Sequence, residues 1–311
     1  MRIGLVAAIV WITAALAQEP EGLSIRVDVK LVNVAFIVRD SAGALERALT
    51  KDDVEVFEDG VRQDVRFFGR SSDLPLRLAL AADVSGSQHK FIKAHQRDIE
   101  RFLKSALTPK DLALMLCFGN HLRVVSDFSS SAEMLVDGLE RFQKKSFPTP
   151  ELDVDLTRSG GTALFDAVYA LAEEKLGNSG GERKAIVLFS DGEDNASAHD
   201  LMDAIERAQA ADALIYTVRY TEGKPERLPA RARYGIREMD RLAKETGGAA
   251  FDASEKSVGK ALAQVSEELR SLYDVGYVSS NLPQDRGFRK VVIRVKRSGA
   301  TVRSKPGYFI R

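Results

Sequence analysis

Leu76-Arg77-Leu78-Ala79-Leu80-Ala81-Ala82-Asp83-Val84-Ser85-Gly86-Ser87 joins an apolar run of strand length to a loop carrying one carboxylate and two hydroxyls. From this stretch onward, strand and helix patterns alternate. Phe91, His95, Ile99, Phe102, Leu103 and Ala106 repeat at helical spacing. Residues 112–118 are a second buried strand, and 122–125 a short edge strand. Leu135, Leu139 and Phe142 predict a helix, and 163–176 another. Residues 184–189 read as a strand, 201–211 as a helix and 213–218 as a strand. Residues 238–246 are helical and stop at Gly247-Gly248, a C-terminal signal. Residues 249–251 are a last short strand. Val258, Leu262, Val265, Leu269 and Leu272 then line one face of a final helix. Alternation on this scale implies an α/β fold, a doubly wound and mostly parallel sheet with helices on both faces.

The flanks have β character. Residues 25–31 and 34–38 read as strands, and 54–57 runs through the turn Glu58-Asp59-Gly60 into an alternating stretch over 61–68, a hairpin. At the other end, 275–278, 290–296 and 301–303 are strands. The expected division is a signal peptide at 1–17, an N-terminal β module at 18–73, the α/β domain at 74–275 and a C-terminal β segment at 276–311. That segment is expected to pair with the N-terminal module, since chain ends often lie close together.

The chain has 311 residues, with 45 Lys+Arg against 45 Asp+Glu. Zero net charge gives no support to a nucleic-acid binder driven by phosphate neutralisation or to a polybasic membrane-surface protein. Arg2, the uncharged stretch 3–16 and Ala15-Leu16-Ala17 describe a secretory signal peptide, too short to span a bilayer. The chain is therefore expected to be exported, to the periplasm, cell surface or medium, with no transmembrane span after cleavage. The single cysteine, Cys117, sits inside an apolar run and reads as an inert core residue.

Open α/β sheets place ligands at the carboxyl ends of their strands. Three loops fall at that edge: Asp83-Val84-Ser85-Gly86-Ser87, Ser159-Gly160-Gly161-Thr162-Ala163, and Ser190-Asp191-Gly192-Glu193-Asp194-Asn195. Each sets small oxygen-bearing side chains beside glycine. Oxygen donors without His or Cys suit Mg²⁺ or Ca²⁺ over Zn²⁺. Asp166 reads as an exposed helix residue. The four histidines, His89, His95, His121 and His199, have no metal-ligand spacing. The basic stretch 224–237, with Arg227, Arg231 and Arg233, reads as a loop leaving a strand on the same face. Two readings stand: a solvated loop, or a rim that attracts an acidic partner surface.

Asp-x-Ser-x-Ser after a buried strand, Gly-Gly-Thr before a helix and Ser-Asp-Gly after a later strand resemble the von Willebrand factor type A domain over roughly residues 74–275. With Glu58-Asp59-Gly60-Val61-Arg62-Gln63 upstream and Leu272-Tyr273-Asp274-Val275-Gly276-Tyr277 and Lys305-Pro306-Gly307-Tyr308 downstream, the chain resembles the VWFA-related secreted proteins frequent in acidobacterial genomes. The resemblance implies a metal-ion-dependent adhesion site. Ser85, Ser87 and Thr162 would supply hydroxyl ligands, and Asp83 and Asp191 would bind directly or through water. Mg²⁺ is the implied ion, with Mn²⁺ or Ca²⁺ as substitutes, and a carboxylate of a protein partner would complete the coordination.

The chain has no Gly-x-Ser-x-Gly elbow, no Walker-type loop and no Gly-x-Gly-x-x-Gly opening a helix after a strand. A binding module that is not an enzyme is the expectation. The alternatives are a Mg²⁺-dependent phosphohydrolase using Asp83 and Asp191, or an envelope-assembly component in which the metal only stiffens the loops.

Overall fold

The computed structural model describes residues 31–144, 150–152, 160–177, 180–223, 227–253, 258–281 and 287–310. The signal peptide expected at 1–17, nearly all of the strand expected over 25–31, and Ser159 lie outside them. The first half of the chain forms β1 (Leu31–Arg39), β2 (Val54–Glu58), β3 (Val61–Gln63), β4 (Val65–Arg70), β5 (Leu76–Asp83), α1 (Ile92–Ala106), β6 (Leu112–Phe118), β7 (Leu122–Ser129), α2 (Ala132–Gln143) and β8 (Glu151–Leu152). The second forms α3 (Leu164–Ala170), β9 (Arg183–Ser190), α4 (Leu201–Ala210), β10 (Ala213–Arg219), α5 (Ala230–Thr246), β11 (Ala250–Asp252), α6 (Val258–Leu269), β12 (Tyr273–Val278), β13 (Gly287–Val295), β14 (Thr301–Ser304) and β15 (Gly307–Ile310).

A seven-stranded sheet runs in the order β11-β10-β9-β5-β6-β7-β8. The pairs from β11 to β6 are parallel, and β7 and β8 add antiparallel to that edge. Strand residues point alternately to the two faces. Leu78, Leu80 and Ala82 of β5 therefore pack with Ile99 and Phe102 of α1, Leu135 of α2 and Leu262 and Val265 of α6. Ala79 and Ala81 face the other way, among Leu164 and Val168 of α3, Ile205 of α4 and Leu242 of α5. The fold is an α/β doubly wound sheet, mixed and mostly parallel, with helices on both faces. Cys117 is fully buried on β6, and burial pushes its thiol pKa up, out of reach of ordinary reactivity.

Three elements differ from expectation. The strand expected over 122–125 runs to Ser129, and β8 rather than β7 is the edge. From Ala230 onward the basic stretch is helix, not loop: α5 begins there, eight residues before the expected start. Its first turns carry no acidic residue and several arginines, against the helix dipole. Alanine and arginine favour a helix there by propensity, while Gly235 and the charge placement oppose it. The stop at Gly247 is as expected, with φ +89° and the Gly248 amide donating to the Ala243 carbonyl.

The hairpin expected over 54–68 is divided. β3 pairs with β2, but after Asp64 the chain passes into another sheet, where β4 pairs with β12. Gln63 and Val65 are both buried, so the period-two pattern continues unbroken across this corner. Periodicity alone cannot reveal such a switch. The flanks form two four-stranded sheets, β14-β1-β12-β4 and β15-β13-β2-β3. The C-terminal strands β13 and β14 pair with β2 and β1 from the other end of the chain. The boundary expected at 275 falls inside β12.

The two flanking sheets share one core, with Val34, Phe36, Tyr273, Val275 and Tyr277 against Val56, Val291 and Ile293. Glu58 is buried there. It accepts bonds from Tyr277 Oη (2.8 Å), Tyr308 Oη (2.9 Å) and Asn281 Nδ2 (2.7 Å), with Ser279 beside them. Burial pushes its carboxyl up, but these donors outweigh it and hold the pKa below the usual range. The opposite face of β1 belongs to the α/β core through Ile37 and Ala35. The sheet containing β1 and β12 is thus a middle layer, covered on both sides.

Period two sends Asp274 of β12 away from Tyr273 and Val275, toward the α/β side. Burial pushes its carboxyl pKa up to about 6; Asp212 adds repulsion and Arg183 partly offsets it. The folded-state value lies above the unfolded one. This contribution is therefore fully favourable below the unfolded pKa and is lost as pH rises through about 6. Asp274→Asn is expected to gain about 2 kcal/mol at about pH 8 and nothing at about pH 4, measured by urea unfolding. Equal effects at both pH values would remove the buried charge as the cause.

Candidate functional site

Asp83 ends the central strand with its side chain fully buried. A desolvated carboxylate needs donors, and the loops supply them. Ser190, the last residue of neighbouring β9, donates its hydroxyl to Asp83 Oδ2 at 2.6 Å, and the Ser85 amide donates to Oδ1 at 2.9 Å. Burial pushes the Asp83 pKa up to about 6. Bonds from Ser190 and Ser85 pull against this, and the charge of Asp191 adds to the rise. The two carboxylates therefore face one another with like charge.

The first loop turns tightly after Ser85, as the Gln88 amide donates to the Ser85 carbonyl. The hydroxyls of Ser85 and Ser87 come to 3.2 Å apart. The same turn buries Gln88, whose Nε2 donates to Asp191 Oδ2 at 2.7 Å and to the Tyr220 carbonyl at 3.3 Å. Asp191 Oδ1 accepts the Glu193 amide at 3.1 Å. First and third loops are thus pinned together twice, by Ser190 to Asp83 and by Gln88 to Asp191.

Thr162 is buried and tied to the same edge. Its amide donates to Asn195 Oδ1 at 2.7 Å, and its carbonyl accepts the Asn195 and Ala196 amides. The next amide, Ala163, donates to the Gly119 carbonyl, and Gly119 lies directly against the Ser85 backbone. Asp83, Ser85, Ser87, Thr162 and Asp191 are therefore gathered from three loops at one sheet edge.

Several residues that hold this arrangement carry little sequence signal. Gln88 and Ser190 adjoin the expected ligands, and their adjacency was the only clue. Asp194 Oδ1 accepts the Leu164 amide at 2.8 Å and so caps α3, which has no cap from Ala163. Asp166, expected to be exposed, is fully buried. It accepts the Ala198 and His199 amides, each at 2.9 Å, and faces His199 Nδ1 at 2.7 Å. The loop after β9 folds back over α3 and covers it. His95 is also buried, edge-on to Tyr220 with ring centroids 4.3 Å apart, and burial alone pushes its pKa down to about 3.

The donor chemistry fits a hard divalent cation. Asp83 and Asp191 together offer about eight lone-pair sites, and the amide and side-chain donors named above take only part of them. Two adjacent hydroxyls complete a set without nitrogen or sulfur. No group of three or more His, Cys, Asp or Glu suited to a metal occurs among the described residues, so a cation here would rest on hydroxyls as much as on carboxylates.

Arg227, Arg231 and Arg233 are exposed. Arg231 Nε lies 2.8 Å from Glu193 Oε2, which brings the start of α5 against the third loop. Backbone packing fixes that approach. Gly192 has φ +82°, and a Cβ there would collide with the Gly235 carbonyl; a Cβ on Gly235 would come within 2.7 Å of the Gly192 carbonyl carbon. Tyr234 stands out from the same turn, 54% exposed.

No protein-family model matches the sequence, and no curated protein matches it. Among solved structures, the chain is similar to a von Willebrand factor type A protein from Catenulispora acidiphila. The identity is 12% and the TM-score 0.46, over 90% of this chain and 74% of that one. It is also similar to BatB from Bacteroides thetaiotaomicron, at 19% identity and TM-score 0.46, over 63% of this chain and 100% of that one. An aerotolerance-related membrane protein from Bacteroides fragilis shares 16% identity at TM-score 0.46, over 62% of this chain and 98% of that one. Among the described residues no helix is long and apolar enough to cross a membrane.

Gly235→Ala is expected to cost about 1–3 kcal/mol by overpacking against the Gly192 backbone, read as a lower urea midpoint. An unchanged midpoint would mean that α5 does not depend on this contact.

Proposed function

We propose that this chain is an exported module that binds a protein partner through a divalent cation. Asp83, Ser85, Ser87, Thr162 and Asp191 would hold the ion, Mg²⁺ by preference, with Mn²⁺ or Ca²⁺ able to replace it. The observation that carries this reading is the convergence of the three hydroxyl- and carboxylate-bearing loops, locked by Ser190 on Asp83 and by Gln88 on Asp191. When bound, the cation would supply an electrophilic position for a carboxylate of the partner. The protein's own residues orient the ligands and present a basic rim.

That rim is the start of α5. Arg227 and Arg233 are exposed, and Arg231 sits at the third loop. With Tyr234 they form an arginine and tyrosine surface, a composition enriched at interface hot spots. Their charge complements an acidic partner and would speed its encounter.

A cation at a hundredfold excess over its Kd stabilises a fold by about 2.7 kcal/mol, which for a chain of this size raises Tm by roughly 5–10 °C. Mg²⁺ or Mn²⁺ is expected to produce that shift, and Asp191→Ala to abolish it. No shift at millimolar metal would overturn the metal site. Capture of a partner from the producing cell's envelope fraction is expected to be lost on chelation. Reversal of charge at Arg231 and Arg233 is expected to weaken capture and reduce its sensitivity to salt. Hydrolysis of generic phosphate esters, abolished by Asp83→Asn, would instead support a phosphohydrolase.

A further inference from the structure

At the opposite end of the parallel sheet from the three loops, a cavity of about 330 Å³ lies between the middle β layer and the α/β domain. Asp274 of β12 enters it from one side. Lys184 of β9, Gln209 of α4 and Asp212, which precedes β10, enter from the other. This is a volume in the range of small-molecule sites.

Its polar groups are incompletely matched. Asp212 is paired with Lys305 Nζ at 3.1 Å. Arg183 is committed to backbone carbonyls of Leu74 and Leu269. Asp274, in contrast, has neither a hydrogen bond nor an ion pair among the described residues, although it lies close enough to Asp212 to feel its charge. Lys184 is nine-tenths buried, feels Asp212 and Glu182 only at a distance, and has no ion pair among the described residues. Gln209 is buried, with Nε2 bound to the Glu245 carbonyl at 2.7 Å and Oε1 without a partner. A partly buried carboxylate, the ammonium of a largely buried lysine and a buried amide oxygen without a partner thus stand around one space, and among the described residues no ion pair joins the two charges to each other. The buried amide oxygen is costly to leave unmatched, and the two charges offer positions for a ligand of both signs.

We propose that this cavity binds a small zwitterion, an amino acid or dipeptide with an apolar side chain, placing its ammonium at Asp274 and Gln209 and its carboxylate at Lys184. A simple anion would leave Asp274 facing Asp212 with only the partial offset of Arg183. A simple cation would leave Lys184 unpaired. Only a molecule carrying both charges satisfies both ends. Phe67 and Leu214 line the cavity and provide surface for an aliphatic side chain. The site shares no residue with the loops that carry the proposed cation, so the two stand or fall separately.

Isothermal titration of the full chain with L-leucine and with alanyl-leucine tests this. n-Butylamine and propionate serve as half-ligands. At least one zwitterion is expected to bind, and each half-ligand to bind more weakly by about tenfold or more. Asp274→Asn and Lys184→Met should each weaken zwitterion binding by about tenfold, while Asp191→Ala leaves it unchanged. Asp274→Asn is also expected to keep the fold at neutral pH, so loss of binding there is not loss of structure. Absence of binding by both zwitterions at millimolar concentration would overturn the proposal. So would half-ligands that bind as well as the zwitterions, or affinity unchanged in both variants.

Discussion

A carboxylate fully buried at the tip of the central strand is the constraint around which this molecule's functional edge is organised. Asp83 cannot lie there without donors, and the donor that reaches it from outside its own loop, the Ser190 hydroxyl, belongs to the end of the neighbouring parallel strand. Parallel pairing of β5 with β9 brings those two strand ends together. With Ser190 engaged, Asp191 follows directly, and its charge is set beside that of Asp83. Gln88 then bonds Asp191 from the far side of the first loop. The second loop joins through Asn195, which belongs to the third. Each loop is held by another, and the arrangement places like charges together with no salt bridge to either carboxylate among the described residues. That is a costly state for an isolated chain and a useful one for binding a divalent ion.

The same edge explains why α5 starts where it does. Arginines in the first turns of a helix oppose its dipole. Here Arg231 finds Glu193 on the third loop, and Gly235 packs without a side chain on Gly192. Tertiary contact therefore offsets the unfavourable charge placement and the glycine. The result is a basic helix start set firmly beside an acidic cluster, which is a better-defined surface than a solvated loop.

At the other end of the sheet, the flanks do more than cap the domain. β12 runs straight from α6 into a layer shared by strands from both chain ends, and alternate residues of β12 serve two interiors. Tyr273, Val275 and Tyr277 face the small β core, and Asp274 faces the α/β domain. A strand covered on both faces usually reads as continuously apolar. The aspartate in this one marks the place where the covering is incomplete and a polar cavity remains.

Much of the architecture was legible in the amino-acid sequence, because it follows from period and punctuation. Apolar runs at 76–82, 112–118 and 184–189 specify buried parallel strands, helical repeats specify the layers outside them, and Gly247-Gly248 ends α5. The first and third oxygen-rich loops could be assigned to one edge because strand direction dictates where carboxyl ends lie, and the second because it opens a helix. Other features had no local signature. The corner at Asp64 preserves the period-two pattern while changing sheets. Asp166 looks like an exposed helix residue until the loop after β9 closes over it. Gln88 and Asn195 act through partners 103 and 33 residues away, and Asp274 shares a cavity with Lys184 and Gln209 only because β12 is brought against the α/β sheet. Sequence pattern determined which faces of the strands are apolar and which strand ends carry oxygen-bearing side chains, since those depend on neighbours along the chain. Tertiary structure alone decided which buried charges meet a partner and which are left facing a cavity, because that depends on groups the chain brings together from far apart.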